Sequence, residues 1–101
     1  MKKAALLPRL HFFVCCNRRA GSPLGPGCGD RGDAVYGALK SRVQERGETA
    51  STWVTVTGCL GICPAKGATV AIYPRSAIVT EVFPEDLDGL YDLASGKHDA
   101  S

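Results

Sequence analysis

Two runs of strand-forming residues, Leu10–Cys15 (Leu-His-Phe-Phe-Val-Cys) and Thr52–Thr57 (Thr-Trp-Val-Thr-Val-Thr), flank a stretch with helical periodicity. This order constrains the fold more than any other feature of the chain. A helix between two strands of one sheet makes the strands parallel and the crossover right-handed. Loops leaving the carboxyl ends of parallel strands emerge on one edge of the sheet, the edge where open α/β folds place their ligand sites. Here both loops carry cysteines: Cys15 and Cys28 go with the first, Cys59 and Cys63 with the second.

The remaining elements follow from local chemistry. Leu10–Cys15 shows little polar alternation, which predicts a central strand. Asn17–Gly32 contains five glycines and two prolines and reads as a long loop. A helix is predicted over Asp33–Arg46, with Asp33 as N-cap and Val35, Leu39 and Val43 as its apolar stripe, Tyr36 beside them. Arg46 in the last turn and Gly47 beyond it end that helix. Gly58–Gly67 form a second loop. Ala68–Tyr73 and Ala77–Val82 read as strands of a hairpin closed by Pro74-Arg75-Ser76. Pro84 opens a last helix with Leu87, Leu90, Tyr91 and Leu93 on its apolar side. The expected architecture is α/β, ordered β-α-β-β-β-α, with a mixed four-stranded sheet and two main helices. Residues 1–9 read as an N-terminal extension, 10–94 as the domain and 95–101 as a flexible polar tail.

With 101 residues, 45% of them hydrophobic, the chain fits one domain with a core of its own. A net charge of +2 without a Lys/Arg block gives no reason to expect nucleic acid or a membrane surface as partner. Lys2, Lys3 and the apolar Ala4–Leu7 resemble the start of a signal peptide, but Pro8, Arg9 and His11 break the run and no small-residue cleavage site precedes Cys15. No apolar stretch approaches the ~20 residues that cross a bilayer. The expectation is a soluble, cytoplasmic protein. Five cysteines, an odd number, fit a disulfide framework poorly, and in a reducing compartment grouped cysteines point to metal or redox chemistry.

Twelve residues separate Cys15 from Cys28, thirty Cys28 from Cys59, and three Cys59 from Cys63. A 2Fe–2S cluster takes four thiolates, two on each iron. Gly25, Gly27, Gly29, Gly58 and Gly61 allow close approach of backbone N–H groups to a polarised, negative centre. Structural zinc also takes four cysteines, usually in tighter pairs, and a non-redox zinc module for protein interaction is the main alternative. A dithiol of the Cys-x-x-Cys type is absent. Core packing accounts for one or two buried cysteines but not for three in glycine-rich loops. A redox-regulatory or cluster-assembly factor using Cys16 as a reactive thiol is a further reading.

His11-Phe12-Phe13-Val14-Cys15-x-Asn17-Arg18-Arg19, Gly27-Cys28-Gly29-x-Arg31-Gly32 and Gly58-Cys59-Leu60-Gly61-x-Cys63 together resemble the thioredoxin-like 2Fe–2S ferredoxins, from about His11 to Tyr91. The resemblance implies a thioredoxin-like fold, one 2Fe–2S cluster on Cys15, Cys28, Cys59 and Cys63, a one-electron carrier rather than an enzyme, redox proteins as donor and acceptor, and often a homodimer. The chain also resembles the cluster domain of NADH-oxidising subunits of respiratory complexes. There the first cysteine pair is closer, and the longer gap here favours the free ferredoxin. Cys16 departs from the family pattern. Neighbouring strand residues face opposite ways, so only one of Cys15 and Cys16 reaches a common centre; Cys15 holds the family's position in Val-Cys-x-Asn.

Arg18, Arg19, Arg31 and Lys66 lie in or beside the cysteine loops, against only Asp30 and Asp33. Such charge would favour a reduced, more negative centre and steer an acidic partner, or simply form a solvated loop surface. Glu81, Glu85, Asp86, Asp88 and Asp92 form an acidic run, read as a solvated helix face. Phe12, Phe13 and Trp53 are expected in the core, and His11 as a packed histidine. Arg31-Gly32-Asp33 at a loop–helix junction is incidental.

Overall fold

The computed structural model describes residues 1–5, 7–16, 28–58 and 66–95. Its elements are β1 (Leu10–Cys15), α1 (Gly29–Glu45), β2 (Thr52–Thr57), β3 (Ala68–Tyr73), β4 (Ala77–Val82), a 3-10 turn (Pro84–Asp86) and α2 (Leu87–Ser95). One four-stranded sheet has the order β2-β1-β3-β4, so the apolar β1 is interior as its composition implies. β1 runs parallel to β2, with Leu10 opposite Thr52 and Cys15 opposite Thr57. It runs antiparallel to β3, with Val14 opposite Val70, and β3 and β4 form the antiparallel hairpin. The sheet is mixed and the architecture α/β, as expected.

The pleat divides β1 between two faces. Leu10, Phe12 and Val14 are buried in one cluster with Val35, Leu39 and Val43 of α1, Leu87 and Leu90 of α2, and Val54, Val70 and Ile72 of the sheet. Both helices therefore cover the same face. Phe12 is wholly enclosed and meets the Tyr91 ring edge-on at 5.6 Å; truncating it to alanine is expected to cost about 3–5 kcal/mol. The Arg46 guanidinium lies 4.4 Å from the centre of the Tyr91 ring and closes the outer side of that contact. At the start of the 3-10 turn the Asp86 carboxylate accepts the Phe83 N–H at 2.9 Å, with Pro84 at the favoured first position.

Among the described residues no helix covers the opposite face. His11 and Phe13 of β1, Trp53 of β2, Tyr73 of β3 and Ile78 of β4 come together there by register. Trp53 is 36% exposed, Tyr73 58% and Ile78 55%. The placement of Phe13 and Trp53 in the core is corrected accordingly: alternation turns them away from Phe12 and Val54, onto the uncovered side. His11 is packed as expected. Its ring stacks on Phe13 at 3.9 Å, meets Trp53 edge-on, and Nε2 lies 2.7 Å from Thr55 Oγ1. Burial lowers its pKa below the usual histidine range.

Two local features shape the end of the sheet where β1 and β2 finish. α1 begins at Gly29, four residues before the predicted start, and its N-cap is Cys28 rather than Asp33. Glycines at 29 and 32 made this segment read as loop, yet tertiary packing requires one of them inside the helix. A Cβ on Gly32 would collide with the Cys15 carbonyl oxygen and lie 3.0 Å from both its carbon and Cys16 Sγ. Across the sheet, the ladder between β3 and β4 is irregular between Ala68 and Val70. Glu81 takes φ 57° there and Gly67 φ 69°. A Cβ on Gly67 would sit 2.6 Å from the Glu81 carbonyl carbon, so only glycine fits.

Candidate metal centre

Cys15 ends β1 and Cys28 caps α1; both are buried, at 0% and 1% exposure. Cys28 does not use its side chain as a helix cap. Its carbonyl instead accepts the Gly32 N–H at 2.9 Å, which starts the helix, and its sulfur is left to other partners. The contact between Gly32 and the Cys15 carbonyl seats the first turn of α1 on the end of β1. That seating brings the two thiols, thirteen positions apart in sequence, within hydrogen-bonding reach of each other.

The electrostatics of this pair follow from where it sits. Burial pushes the Cys28 thiol up from its ordinary range. The backbone N–H of Thr69 on β3 pulls it back, the hydrogen bond and charge of Cys15 raise it again, and the Thr69 hydroxyl opposes them. A soft cation held by both sulfurs would replace their protons and offset the repulsion between the two thiolates. Cys28 stands at the amino end of α1, where the helix dipole favours sulfur anions. The side chains present suit a thiolate-bound metal or cluster.

Cys59 and Cys63 lie outside the described residues, as do Asn17, Arg18 and Arg19. The segment that carries the second cysteine pair nonetheless leaves β2 beside the first. Thr57 is the ladder partner of Cys15, and the Cys16 N–H donates to the Thr57 carbonyl at 3.0 Å. Among the described residues no three His, Cys, Asp or Glu side chains converge, and Cys15 and Cys28 are free thiols. Cys16 is only half-buried, unlike Cys15. Of the basic residues read from the sequence, Arg31 stands in the first turn of α1, and Lys66 Nζ lies 3.6 Å from Glu81. The acidic run is partly committed to the fold: Asp88 pairs with Arg42 at 2.8 Å and Asp86 caps the turn.

Sequence reasoning missed Thr69. Its signal was a single hydroxyl residue in an otherwise apolar strand, Ala-Thr-Val-Ala-Ile-Tyr. Gly32 was visible as part of a motif, but its role as the contact between helix and strand was not.

No family model matches the chain, and no curated protein matches it. Solved structures do. The chain is similar to the wild-type thioredoxin-like 2Fe–2S ferredoxin from Aquifex aeolicus, with 30% identity and a TM-score of 0.74 over 90% of each chain. It is similar to a cysteine-to-serine variant of that ferredoxin at 28% identity and TM-score 0.74, over 88% of this chain and 89% of the other. A second such variant matches at 30% identity and TM-score 0.72, over 86% and 89%. A thioredoxin-like fold with paired cysteines at the carboxyl edge of its sheet defines a class of small iron–sulfur proteins. The chain belongs to the thioredoxin-like 2Fe–2S ferredoxin family.

Proposed function

We propose that this chain is a one-electron carrier whose single 2Fe–2S cluster is held by Cys15, Cys28, Cys59 and Cys63. The observation that carries this reading is the meeting of the buried Cys15 and Cys28 thiols at the end of β1, in a chain of this family. When bound, the cluster supplies the redox couple. The chain's own residues enclose the sulfurs, hold them in pairs and set Cys28 at the amino end of α1. No group on the protein reacts with a substrate, and the partners are donor and acceptor redox proteins. Residues 10–94 make up the functional domain, between a short extension and a polar tail. A reducing, cytoplasmic setting suits the free thiols of Cys15 and Cys28. Among the described residues no helix is long and apolar enough to cross a membrane.

The chain works as a homodimer, two copies meeting through their helix-free sheet faces. Among the described strand residues that face holds His11, Phe13, Trp53, Thr55, Ala71, Tyr73 and Ile78 and no Lys, Arg, Asp or Glu. Two such faces bury aromatic surface without bringing like charges together, whereas a face for a charged redox partner would show the reverse.

The test is an absorption and electron paramagnetic resonance spectrum of the purified protein before and after dithionite. A red-brown protein with about two irons and two sulfides per chain, and a paramagnetic signal on reduction, is expected. A colourless protein with one zinc per chain would replace this reading with a structural zinc module.

A further inference from the structure

Thr52 is 2% exposed, and its hydroxyl has no hydrogen-bond partner among the described residues. Alternation along β2 turns it to the same side as the buried Val54, toward α1. Its backbone N–H donates to the Glu48 carbonyl at 2.8 Å, so the hydroxyl is the group left over. Valine would fill the same space without burying an unpaired hydroxyl, and packing alone therefore does not account for this residue. Thr52 borders a cavity of about 220 Å³ between α1 and β2, the edge strand of the sheet. Val43 and Val54 supply its apolar wall, and the exposed Lys40, Gln44 and Thr49 stand around it. Among the described residues no carboxylate lines this cavity and none pairs with Lys40, whose ammonium lies 6.0 Å from the centre of the Tyr36 ring.

We propose that this cavity binds a small oxyanion of the phosphate type, with the Thr52 hydroxyl at its base and Lys40, Gln44 and Thr49 at its mouth. Each of these side chains can donate: the ammonium, the amide and the two hydroxyls. One cation among neutral donors, with no carboxylate beside it, suits a compact anion rich in acceptor oxygens, and lysine serves such anions as a point charge. The volume lies below the roughly 300 Å³ at which pockets for drug-sized ligands begin, which points to a free anion and not a nucleotide. The site is separate from the thiols. Thr52 opens β2 opposite Leu10, whereas Cys15 ends β1 opposite Thr57; five strand steps set the two about 16 Å apart. The inference therefore stands apart from the electron-carrier reading.

The test is calorimetric titration of the purified protein with inorganic phosphate in low-salt buffer, against sodium chloride at equal ionic strength. One phosphate per chain is expected. Thr52→Val, which keeps the shape and removes the hydroxyl, should bind it about tenfold more weakly, the size of one charge-assisted hydrogen bond. Thr52→Ser should stay close to the parent. Lys40→Gln, on the exposed side of α1, should weaken binding at least tenfold, and it carries the test if Thr52→Val does not fold. The visible bands of the loaded protein should not move as phosphate saturates; a shift would put the anion at the metal and overturn the inference. Heats no larger than those of chloride would mean that water alone fills the cavity and meets the Thr52 hydroxyl. Parent-like affinity in both Thr52→Val and Lys40→Gln would place the phosphate elsewhere. Either result would overturn the proposal.

Discussion

The seating of α1 on β1 makes a prediction in which two familiar effects compete. Gly32 and Gly37 both lie inside α1. By helix propensity alone, alanine at either position should stabilise the protein by about 0.5–1 kcal/mol. At Gly37 nothing lies within 4 Å of an added Cβ, so that gain should appear undiminished. At Gly32 the methyl would overlap the Cys15 carbonyl oxygen and crowd Cys16 Sγ at 3.0 Å. The obstacle is strand backbone, which cannot rotate aside as a flexible side chain would. The helix must lift by roughly an ångström, and overpacking of this kind costs about 3 kcal/mol. Subtracting the propensity gain leaves Gly32→Ala destabilised by about 2 kcal/mol. With a urea m-value of about 1 kcal/mol/M, the midpoint should fall by about 2 M, while that of Gly37→Ala rises by about 0.5–1 M. The same lift separates Cys28 from Cys15, so Gly32→Ala should also lose iron more readily to a chelator. Equal midpoints for the two variants, or a more stable Gly32→Ala, would refute the packing argument and with it the account of how the two thiols are brought together.

Further predictions concern the ligands, the open face and pH. Cys15→Ser should lose or bleach the visible bands of the loaded protein while Cys16→Ser retains them; an intact spectrum in the first would reassign the ligand. Phe13→Glu, which sets a charge on the helix-free face, should shift sedimentation from dimer to monomer, whereas Ala34→Glu on the exposed side of α1 should not; a dimer persisting in Phe13→Glu would move the interface elsewhere. His11 has a lowered pKa in the folded state because burial disfavours its charged form. The unfolded chain therefore binds the proton first, and stability should be full above about pH 6.5, decline as pH falls toward the folded value, and level off beneath it. Urea midpoints of the parent and His11→Gln measured from pH 8 to 5 should diverge over that window; parallel curves would count against it.

The topology was legible because it depends on patterns that local chemistry imposes. Val35, Leu39 and Val43 repeat at helical spacing, and Thr52–Thr57 is too rich in β-branched residues for anything but a strand. Two strands around a helix then leave little freedom, and the shared edge of Cys15 and the β2 loop follows. The start of α1 was misjudged for the opposite reason. Gly29-Asp30-Arg31-Gly32 has weak helical propensity of its own, and what makes it helical is Cys15 pressing on Gly32, a contact between residues seventeen positions apart in the chain. Phe13 and Trp53 were misplaced because hydrophobicity is not direction: both are apolar, and the pleat alone decides that Phe12 and Val54 face the helices while these two do not. Thr69 was unreadable because a hydroxyl in a strand has many uses, and only the register of β3 on β1 sets it beside the end of β1.

Gly32 seats α1 on the end of β1, and its demand is steric: an added Cβ would meet the Cys15 carbonyl, which is strand backbone and cannot turn aside. The position that starts the helix is therefore also the position that sets Cys28 against Cys15. Substitutions at Gly32 should change how much iron is held, and side chains larger than alanine should lose more of it than alanine does; iron content that is unaffected by the size of the side chain would separate the seating of the helix from the assembly of the site.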